Sequence, residues 1–266
     1  VMERPYWRYE ERREDAADMR MTYHILAYNS CCTELVDRDM DDFLARGAET
    51  YSLEAERGAW SKRLTSMRFL PEALTPDEHL VYQRAVSSIL AAQVREEGLA
   101  AGQILTALQP PSRAVTVPGD HLLAAAALAG AGMADAAEEA LRFLTRSENG
   151  SYTLFDVYGS AHGVGFPYLV SPSRYFGMGT EWTWEKADDA VLRYDGMPRY
   201  IFAVDALREE RARQAVTAGK EFSDSSFIYP YWNTLSSRVA DVLMYRLDSL
   251  GLLAQDASPW GPGLSD

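Results

Sequence analysis

Apolar residues recur at spacings of three and four in the stretch that runs from Tyr229 to Trp260. The positions that fall on one helical face at this spacing are Leu235, Val239, Val242, Leu243, Leu247 and Leu250. Gly251 follows the last of them and suits the left-handed residue that often ends a helix. The pattern therefore predicts an amphipathic helix to about Leu250, followed by a polar loop that ends in Pro259-Trp260.

A helix start is visible near the middle of the first half of the chain. Thr75-Pro76-Asp77-Glu78 supplies an N-cap threonine, a proline at the first helical position and a glutamate three residues after the cap. This is the pattern of a capping box. It predicts a helix from there to about Glu97, ended by Gly98, with Val81, Val86 and Leu90 on its inner face.

Two helices joined by a glycine turn follow. Asp120 precedes a small-residue helix from His121 to Ala129, and the turn Gly130-Ala131-Gly132 leads into a second helix from Ala134 to Arg146. The short connection predicts a tight αα-hairpin. Because alanine-rich helices allow close approach of their neighbours, we expect the first helix to be interior.

A long aromatic and glycine-rich segment, from Ser147 to Tyr194, separates this hairpin from the next helix. Loops of this length are uncommon unless they have a function. Asp195 then precedes a helix from Arg199 to Ala218, with Ile201, Val204 and Leu207 inward and Gly219 at its end.

Paired helices with long aromatic loops on one side predict an all-α protein with an α/α toroid-like architecture rather than a sheet protein. We assign the toroid-like domain to residues 56–266 and an N-terminal helical segment to residues 1–55.

Composition narrows the function classes. The chain has 266 residues, of which 47% are hydrophobic and 24% charged, as in a globular protein with a sizeable core, and its net charge is -13. An acidic surface repels phosphate backbones, so we expect no nucleic-acid partner, whereas neutral ligands such as sugars are tolerated. The longest apolar run, Leu122 to Ala131, is too short to span a bilayer, so no membrane association is expected.

Cysteine usage and the first residues bear on the compartment. The two cysteines, Cys31 and Cys32, are adjacent, and a disulfide between neighbours strains the peptide that joins them. Two reduced thiols predict a cytoplasmic protein. The charged start, VMERPYWRYEERRED, lacks the apolar run of a secretory leader.

Metal and nucleotide chemistry have little support. The acidic residues Asp37, Asp39, Asp41 and Asp42 are spaced so closely that they spread around a helix, as in a solvated first turn. The four histidines share no ligand spacing with cysteines or carboxylates, so no metal site is expected. No glycine-rich loop joins a strand to a helix and no Gly-x-Ser-x-Gly elbow is present, so we expect no cofactor.

Several stretches together, in order over residues 55 to 260, resemble the bacterial glucoamylase-like glycoside hydrolases of family 15. They are LTPDEHLVYQRAVSSILAAQV, GQILTALQPPS, GDHLLAAAALAGAGMADAAEEALRFL, GVGFPYLVSPSRYFGMGTEW, the YDG at Tyr194 and GLLAQDASPW. The resemblance implies a catalytic domain that is an (α/α)6 barrel, of which this chain would hold a part. It also implies carbohydrate metabolism, with α-linked glucose as the substrate class.

The sequence departs from the family at the residues that do the chemistry. The family's Trp-x-Arg-Asp pattern, whose arginine and aspartate hold sugar hydroxyls, is reduced to Val117, Gly119 and Asp120. The family's general acid is a glutamate after a tryptophan, and here Trp260 is followed by Gly261. The second carboxylate belongs to a later part of the barrel, beyond Asp266. Inverting hydrolysis requires both carboxylates, so catalytic competence is in doubt.

Five residues are candidates for substrate binding: Asp120, Asp195, Arg199, Trp182 and Trp260. Asp120 and Asp195 each have an alternative role as a helix N-cap, and Arg199 has the alternative of a plain ion pair with Asp195. The tryptophans have the alternative of anchoring long loops or filling the core, against stacking on sugar faces. Glu181 is a further candidate acid, although the sequence shows no neighbour that would raise its pKa.

Two function classes follow, beside a third reading in which the chain is a helical bundle unrelated to glycosidases that carries out a different small-molecule reaction, and the sequence alone does not choose between them. One is a glycoside hydrolase that acts on α-glucosides. The other is a non-catalytic helical module that binds carbohydrate or another chain. Because half a toroid exposes an apolar edge, we expect a homo-oligomer or a second polypeptide that completes the helical ring.

Overall fold

The computed structural model describes residues 41, 45, 53–65, 67–68, 74–95, 97–106, 115–148, 155–157, 160–162, 168–170, 174–182, 194–224 and 227–252. The described residues are mostly helical, as the sequence predicts. Contacts divide the chain into two units, 1–65 and 66–266. The domain boundary predicted between residues 55 and 56 falls inside the first described helix and stays a prediction.

In the first unit, a helix that we label α1 runs over Leu53–Leu64. Glutamates occupy its first turn, and Lys62 and Arg63 its last, which is the charge order that the helix dipole favours. Trp60 donates its indole N–H to Glu56 one turn earlier, at 2.7 Å. Most of its side chains are exposed, so local charge and hydrogen bonding contribute much of what holds this helix.

Helix α2, Pro76–Ala92, begins at the predicted capping box. The Thr75 hydroxyl accepts the N–H of Glu78, and the Glu78 carboxylate accepts the N–H of Thr75 at 2.7 Å. The helix ends before Gly98, because Gln93 turns into extended backbone and bridges Ile104. Val86 and Leu90 are buried as predicted, whereas Val81 is exposed.

The predicted hairpin is formed by α3, Pro118–Gly130, and α4, Ala134–Arg146. Its packed face is fully buried at Leu122, Ala125, Leu128, Ala129, Ala137, Leu141, Phe143 and Leu144. Gly132 adopts a left-handed conformation in the turn, where its N–H bonds to Ala129 O and the next N–H to Leu128 O. The alanines of α3 leave room for neighbouring helices to approach closely, and α3 is interior, as expected.

Helix α5, Gly196–Thr217, packs across α3 and α4. Val204 and Leu207 are buried as predicted, but Ile201 is exposed, so the inner face is centred on Met197 and Tyr200 instead. Gly219 has a positive φ and ends the helix as expected. Near that end the buried Glu210 carboxylate pairs with Arg68, 2.9 Å away, and with Arg213.

Short strands occupy part of the segment that the sequence assigns to a long loop, and one lies before α3. β1, Val115–Thr116, pairs antiparallel with β4, Arg174–Phe176, which pairs antiparallel with β5, Glu181–Trp182. β2, Phe155–Val157, and β3, Ser160–His162, form a two-stranded hairpin. The aromatic and β-branched residues that made this segment look like a functional loop also favour strands.

The predicted C-terminal helix forms but ends at Tyr245, short of the predicted end at Leu250. It consists of α6, Ile228–Leu235, a π-helical turn at Ser236–Ala240, and α7, Asp241–Tyr245. Leu235, Val239 and Val242 are buried, but Leu247 and Leu250 are exposed. Val242 lies beyond the π turn and is still buried, whereas Leu247 and Leu250 follow the end of the helix at Tyr245. Gly251 has a positive φ, within the turn that Asp248 organises rather than at a helix end.

Across the described helices, none combines the length and the apolar character that crossing a membrane requires.

Candidate functional site

Two of the predicted binding residues meet where the first turns of α3 and α5 come together. The Arg199 guanidinium lies 3.1 Å from the Asp195 carboxylate, and both side chains are about one-third exposed, at 36% and 31%. A Cβ atom on Gly119 would overlap Nη1 of Arg199 and would lie 3.2 Å from Oδ2 of Asp195. The ion pair of α5 therefore rests directly on the bare backbone of α3.

Asp120 is the residue after that contact. The alternative prediction, that Asp120 is the N-cap of α3, is wrong, because the helix begins at Pro118 and Val117 occupies the N-cap position. The proline at the first helical position starts the helix three residues earlier than an N-cap at Asp120 would. Asp120 therefore sits in the first turn with an exposed side chain, where the helix dipole favours a negative charge.

We name these residues, Gly119, Asp120, Asp195 and Arg199, the α3–α5 site. Asp195 occupies the N-cap position of α5 but makes no capping hydrogen bond from its side chain. Its carboxylate faces Arg199 instead, so the alternative of an ion pair at the helix start is confirmed. The site sets the Asp195–Arg199 ion pair against the buried backbone of Gly119, and the exposed Asp120 is the next residue of α3.

The backbone beneath this site is tightly constrained. A Cβ atom on Gly196 would overlap the carbonyl oxygen of Val170, and would lie 3.5 Å from Pro118 Cβ. Val170 itself is buried with a φ of 55°, a left-handed conformation that β-branched residues rarely adopt. Strained backbone of this kind persists only where its surroundings fix it, and such residues cluster at functional sites.

A buried layer of phenols and one carboxyl continues from Val170 into the small sheet. Tyr168 and Tyr175 are fully buried, and Glu181 on β5 is 6% exposed. The Tyr168 hydroxyl donates to Glu181 Oε2 at 3.3 Å, and Glu148 accepts the Glu181 N–H at 3.0 Å. Burial, with the neighbouring Glu181, raises the pKa of Tyr175 well above its ordinary value. Glu181 thus has partners that its position in the sequence did not reveal.

The side chains of the two candidate tryptophans lie outside what the structure describes. Trp182 contributes its backbone to β5, where it pairs with Arg174. Trp260 lies outside the described residues. Neither residue has a described side-chain position, so their stacking roles stay predictions.

An open groove of about 500 Å³ lies elsewhere, between α5 and the start of α6. It is lined by Arg208, Ser223, Asp224, Ile228, Tyr229 and Trp232. Tyr229 is 82% exposed and Trp232 is 60% exposed. Sequence reasoning missed this groove, although an aromatic pair three residues apart at the start of a helix was the signal available.

His121 shows why a histidine in a helix need not be a ligand. Its Nδ1 accepts the Ile104 N–H at 3.1 Å and its Nε2 lies 2.9 Å from Ala140 O, so the ring is neutral and both nitrogens are used. Burial lowers its pKa to about 4, against the hydrogen bonds, which raise it. Within the part of the chain that the structure describes, no three His, Cys, Asp or Glu side chains gather in a group suited to a metal ion.

No protein-family model, curated protein or solved structure matches this chain.

Proposed function

We propose that the chain is a family-15-like protein of carbohydrate metabolism that binds neutral α-glucosides at the α3–α5 site. The architecture that goes with this proposal is a partial (α/α)6 toroid. The mostly helical fold and the close crossing of α3 with α5 support it.

The observation that carries the proposal is the position of the Arg199 guanidinium. The resemblance places a sugar-binding arginine at position 119, where this sequence has glycine. Arg199 reaches over from α5 and fills the space that a side chain at 119 would need. An arginine thus lies against the residue that precedes Asp120, although the arginine now comes from a different helix.

The chemistry of the site suits a neutral polyhydroxylated ligand. A guanidinium offers planar paired donors and a carboxylate offers paired acceptors, so together they bind vicinal hydroxyl groups. Asp195 offsets the charge of Arg199, and Asp120 adds a second acceptor. With a net charge of -13 over the chain, an anionic ligand is disfavoured at long range.

Binding without efficient hydrolysis is the expected behaviour. An inverting glycosidase needs one carboxyl to protonate the leaving oxygen and a second to activate water from the opposite side. The position that the resemblance assigns to the general acid, directly after Trp260, is Gly261 in this chain. Losing one general acid costs about a hundred- to ten-thousand-fold in rate, so little turnover should survive.

Glucose release from maltose, isomaltose and p-nitrophenyl α-glucoside tests this directly. We expect saturable binding of at least one of these compounds with no turnover above that of Asp120→Ala. Turnover that Asp120→Ala abolishes would assign hydrolysis to the site. Failure of all three to bind would end the carbohydrate proposal.

A second candidate function is a helical module that pairs with another copy or another polypeptide. The observation that favours it is the exposed apolar end of the described chain, where Met244, Tyr245, Leu250 and Leu252 are between 61% and 81% exposed. Clustered exposed apolar side chains are typical of interaction surfaces. The two functions are compatible, since these residues are separate from the α3–α5 site.

A further inference from the structure

The groove between α5 and α6 has the composition of a ligand site. Its lining comes from Ile228, Tyr229 and Trp232 on α6, from Arg208 on α5, and from Ser223 and Asp224 before α6. An exposed tryptophan next to an exposed tyrosine is costly in water unless a partner covers it.

Helix α6 presents these aromatic rings because its opposite face is committed to the core. Phe227 and Leu235 are buried and Tyr231 is half-buried between them, at the four-residue spacing of one helical face. Tyr229 and Trp232, three residues apart, share the other face. The aromatic side chains on the groove side of α6 therefore do not belong to the buried core.

The start of α6 is fixed from two sides. The Asp224 carboxylate accepts the N–H groups of Phe227 and Ile228, at 3.4 and 3.1 Å, and so caps the helix. The Arg142 guanidinium lies over the rings of Phe227 and Tyr231, 5.4 and 5.9 Å from their centroids. Arg142 is itself held by two hydrogen bonds to Glu138. A fixed helix start holds the two exposed rings at a defined separation, which is what preorganised recognition requires.

The charges at the groove favour a neutral ligand. Arg208 is the cation and Asp224 the anion among the lining residues, and the carboxylate of Asp224 is already occupied in capping α6. Flat apolar faces flanked by a guanidinium and a hydroxyl match a pyranose ring, which has apolar faces and a hydroxyl edge. The acidic chain as a whole disfavours anionic ligands.

We propose that this groove is a carbohydrate-binding site in which Trp232 and Tyr229 stack on pyranose rings while Arg208 and Ser223 bind their hydroxyl groups. The proposal does not rest on the α3–α5 site. Arg208 follows Arg199 by nine residues of one helix, which places the two on faces about 180° apart. A ligand in the groove would therefore bind apart from the α3–α5 site.

Calorimetric titration of the 266-residue chain with maltotriose, cellotriose and N-acetylchitotriose tests the proposal, with tryptophan fluorescence followed in parallel. At least one neutral trisaccharide should bind and change the fluorescence. Trp232→Ala should weaken that binding about tenfold or more. Trp232→Phe, which keeps an aromatic face, should bind within a few-fold of the wild type while the fluorescence change is lost.

Tyr245→Ala is the matched control, because Tyr245 is an equally exposed aromatic residue, at 70%, that does not line the groove. It should leave the binding unchanged. Arg199→Ala separates the two sites, since it should leave the Trp232-dependent binding intact even if the α3–α5 site binds nothing.

Three results would overturn the groove proposal. One is the absence of binding for all three sugars, and another is binding that Trp232→Ala does not change. The third is self-association that Trp232→Ala abolishes, which would make the groove a contact between two copies of the chain.

Discussion

At the residue scale, two glycines allow the close contacts that form the α3–α5 site. Gly119 lets a guanidinium from α5 rest on α3, and Gly196 lets the Val170 carbonyl rest on α5. The two contacts differ in what a methyl group would meet. At position 119 it would meet the end of a flexible side chain, whereas at position 196 it would meet fixed backbone.

Alanine substitution at these glycines should therefore separate binding from stability. Gly119→Ala should change the free energy of unfolding by less than about 1 kcal/mol, because the gain in helix propensity offsets the displaced ion pair. It should nevertheless weaken α-glucoside binding. Gly196→Ala should destabilise the protein by about 2 kcal/mol or more through overpacking. Urea unfolding of both variants measures this.

Gly130→Ala provides the control, because nothing lies within 4 Å of its Cβ position. It should be neutral or slightly stabilising. If Gly196→Ala proved as stable as Gly130→Ala, the close approach of Val170 to α5 would be wrong.

His121 gives a second prediction at this scale. Its pKa is lowered to about 4 in the folded chain, from about 6.5 when unfolded. Between pH 6.5 and pH 4 the unfolded state binds the extra proton and the folded state does not. The stability that depends on neutral His121 is therefore fully present above pH 6.5 and is lost as the pH falls to 4. The loss is roughly 3 kcal/mol.

His121→Gln should remove that part of the pH dependence. We expect the difference in unfolding free energy between wild type and variant to shrink by roughly 3 kcal/mol from pH 7.5 to pH 4. Denaturant titrations at several pH values test it. If the difference in unfolding free energy did not change with pH, the His121 ring would have the same pKa in the folded and unfolded states.

At the element scale, short-range signals predicted the helices that depend on local chemistry. The capping box of α2 and the glycine turn between α3 and α4 lie where the sequence placed them, because caps and turns are set by a few neighbouring residues. The end of the C-terminal helix was not predictable in this way. Leu247 and Leu250 fit the apolar spacing, but the helix ends at Tyr245, so both residues lie beyond it and are exposed.

Local spacing in the sequence predicted only part of the candidate site. Asp195 and Arg199 lie one turn apart, so their ion pair followed from helical spacing. The contact of Arg199 with Gly119 joins residues far apart in the chain and depends on how α3 crosses α5. No local pattern encodes such a crossing, and the aromatic groove on α6 depends in the same way on packing against α5.

The Arg142 network tests how α6 is held. Burial raises the pKa of Glu138, but hydrogen bonds from Arg142 and Arg211 outweigh burial and lower it. Arg142→Ala removes one of these partners and the contacts with Phe227 and Tyr231, so it should cost about 2–4 kcal/mol. Amide exchange at residues 227–235 should rise more than exchange in α3.

Arg208→Ala is the comparison for this variant. Arg208 is 59% exposed and lies 3.6 Å from Asp205, so its loss should change stability by less than about 0.5 kcal/mol. Equal effects of the two substitutions would mean that Arg142 does not fix the start of α6.

At the scale of the whole molecule, the proposed partial toroid predicts association. The exposed apolar residues near the end of the described chain would be covered by a second copy or another polypeptide. Sedimentation equilibrium should therefore show self-association that Leu250→Asp weakens. A monomer at all concentrations would contradict pairing between copies of the chain.

The measurement that tests the central claim most directly is the dissociation constant for maltose of three proteins: wild type, Arg199→Ala and the double variant Gly119→Arg/Arg199→Ala. The double variant returns the arginine to α3, into the space that Arg199 leaves. We predict that Arg199→Ala weakens binding about tenfold or more and that the double variant recovers part of the loss. Wild-type affinity in Arg199→Ala would contradict the claim that this guanidinium holds the sugar.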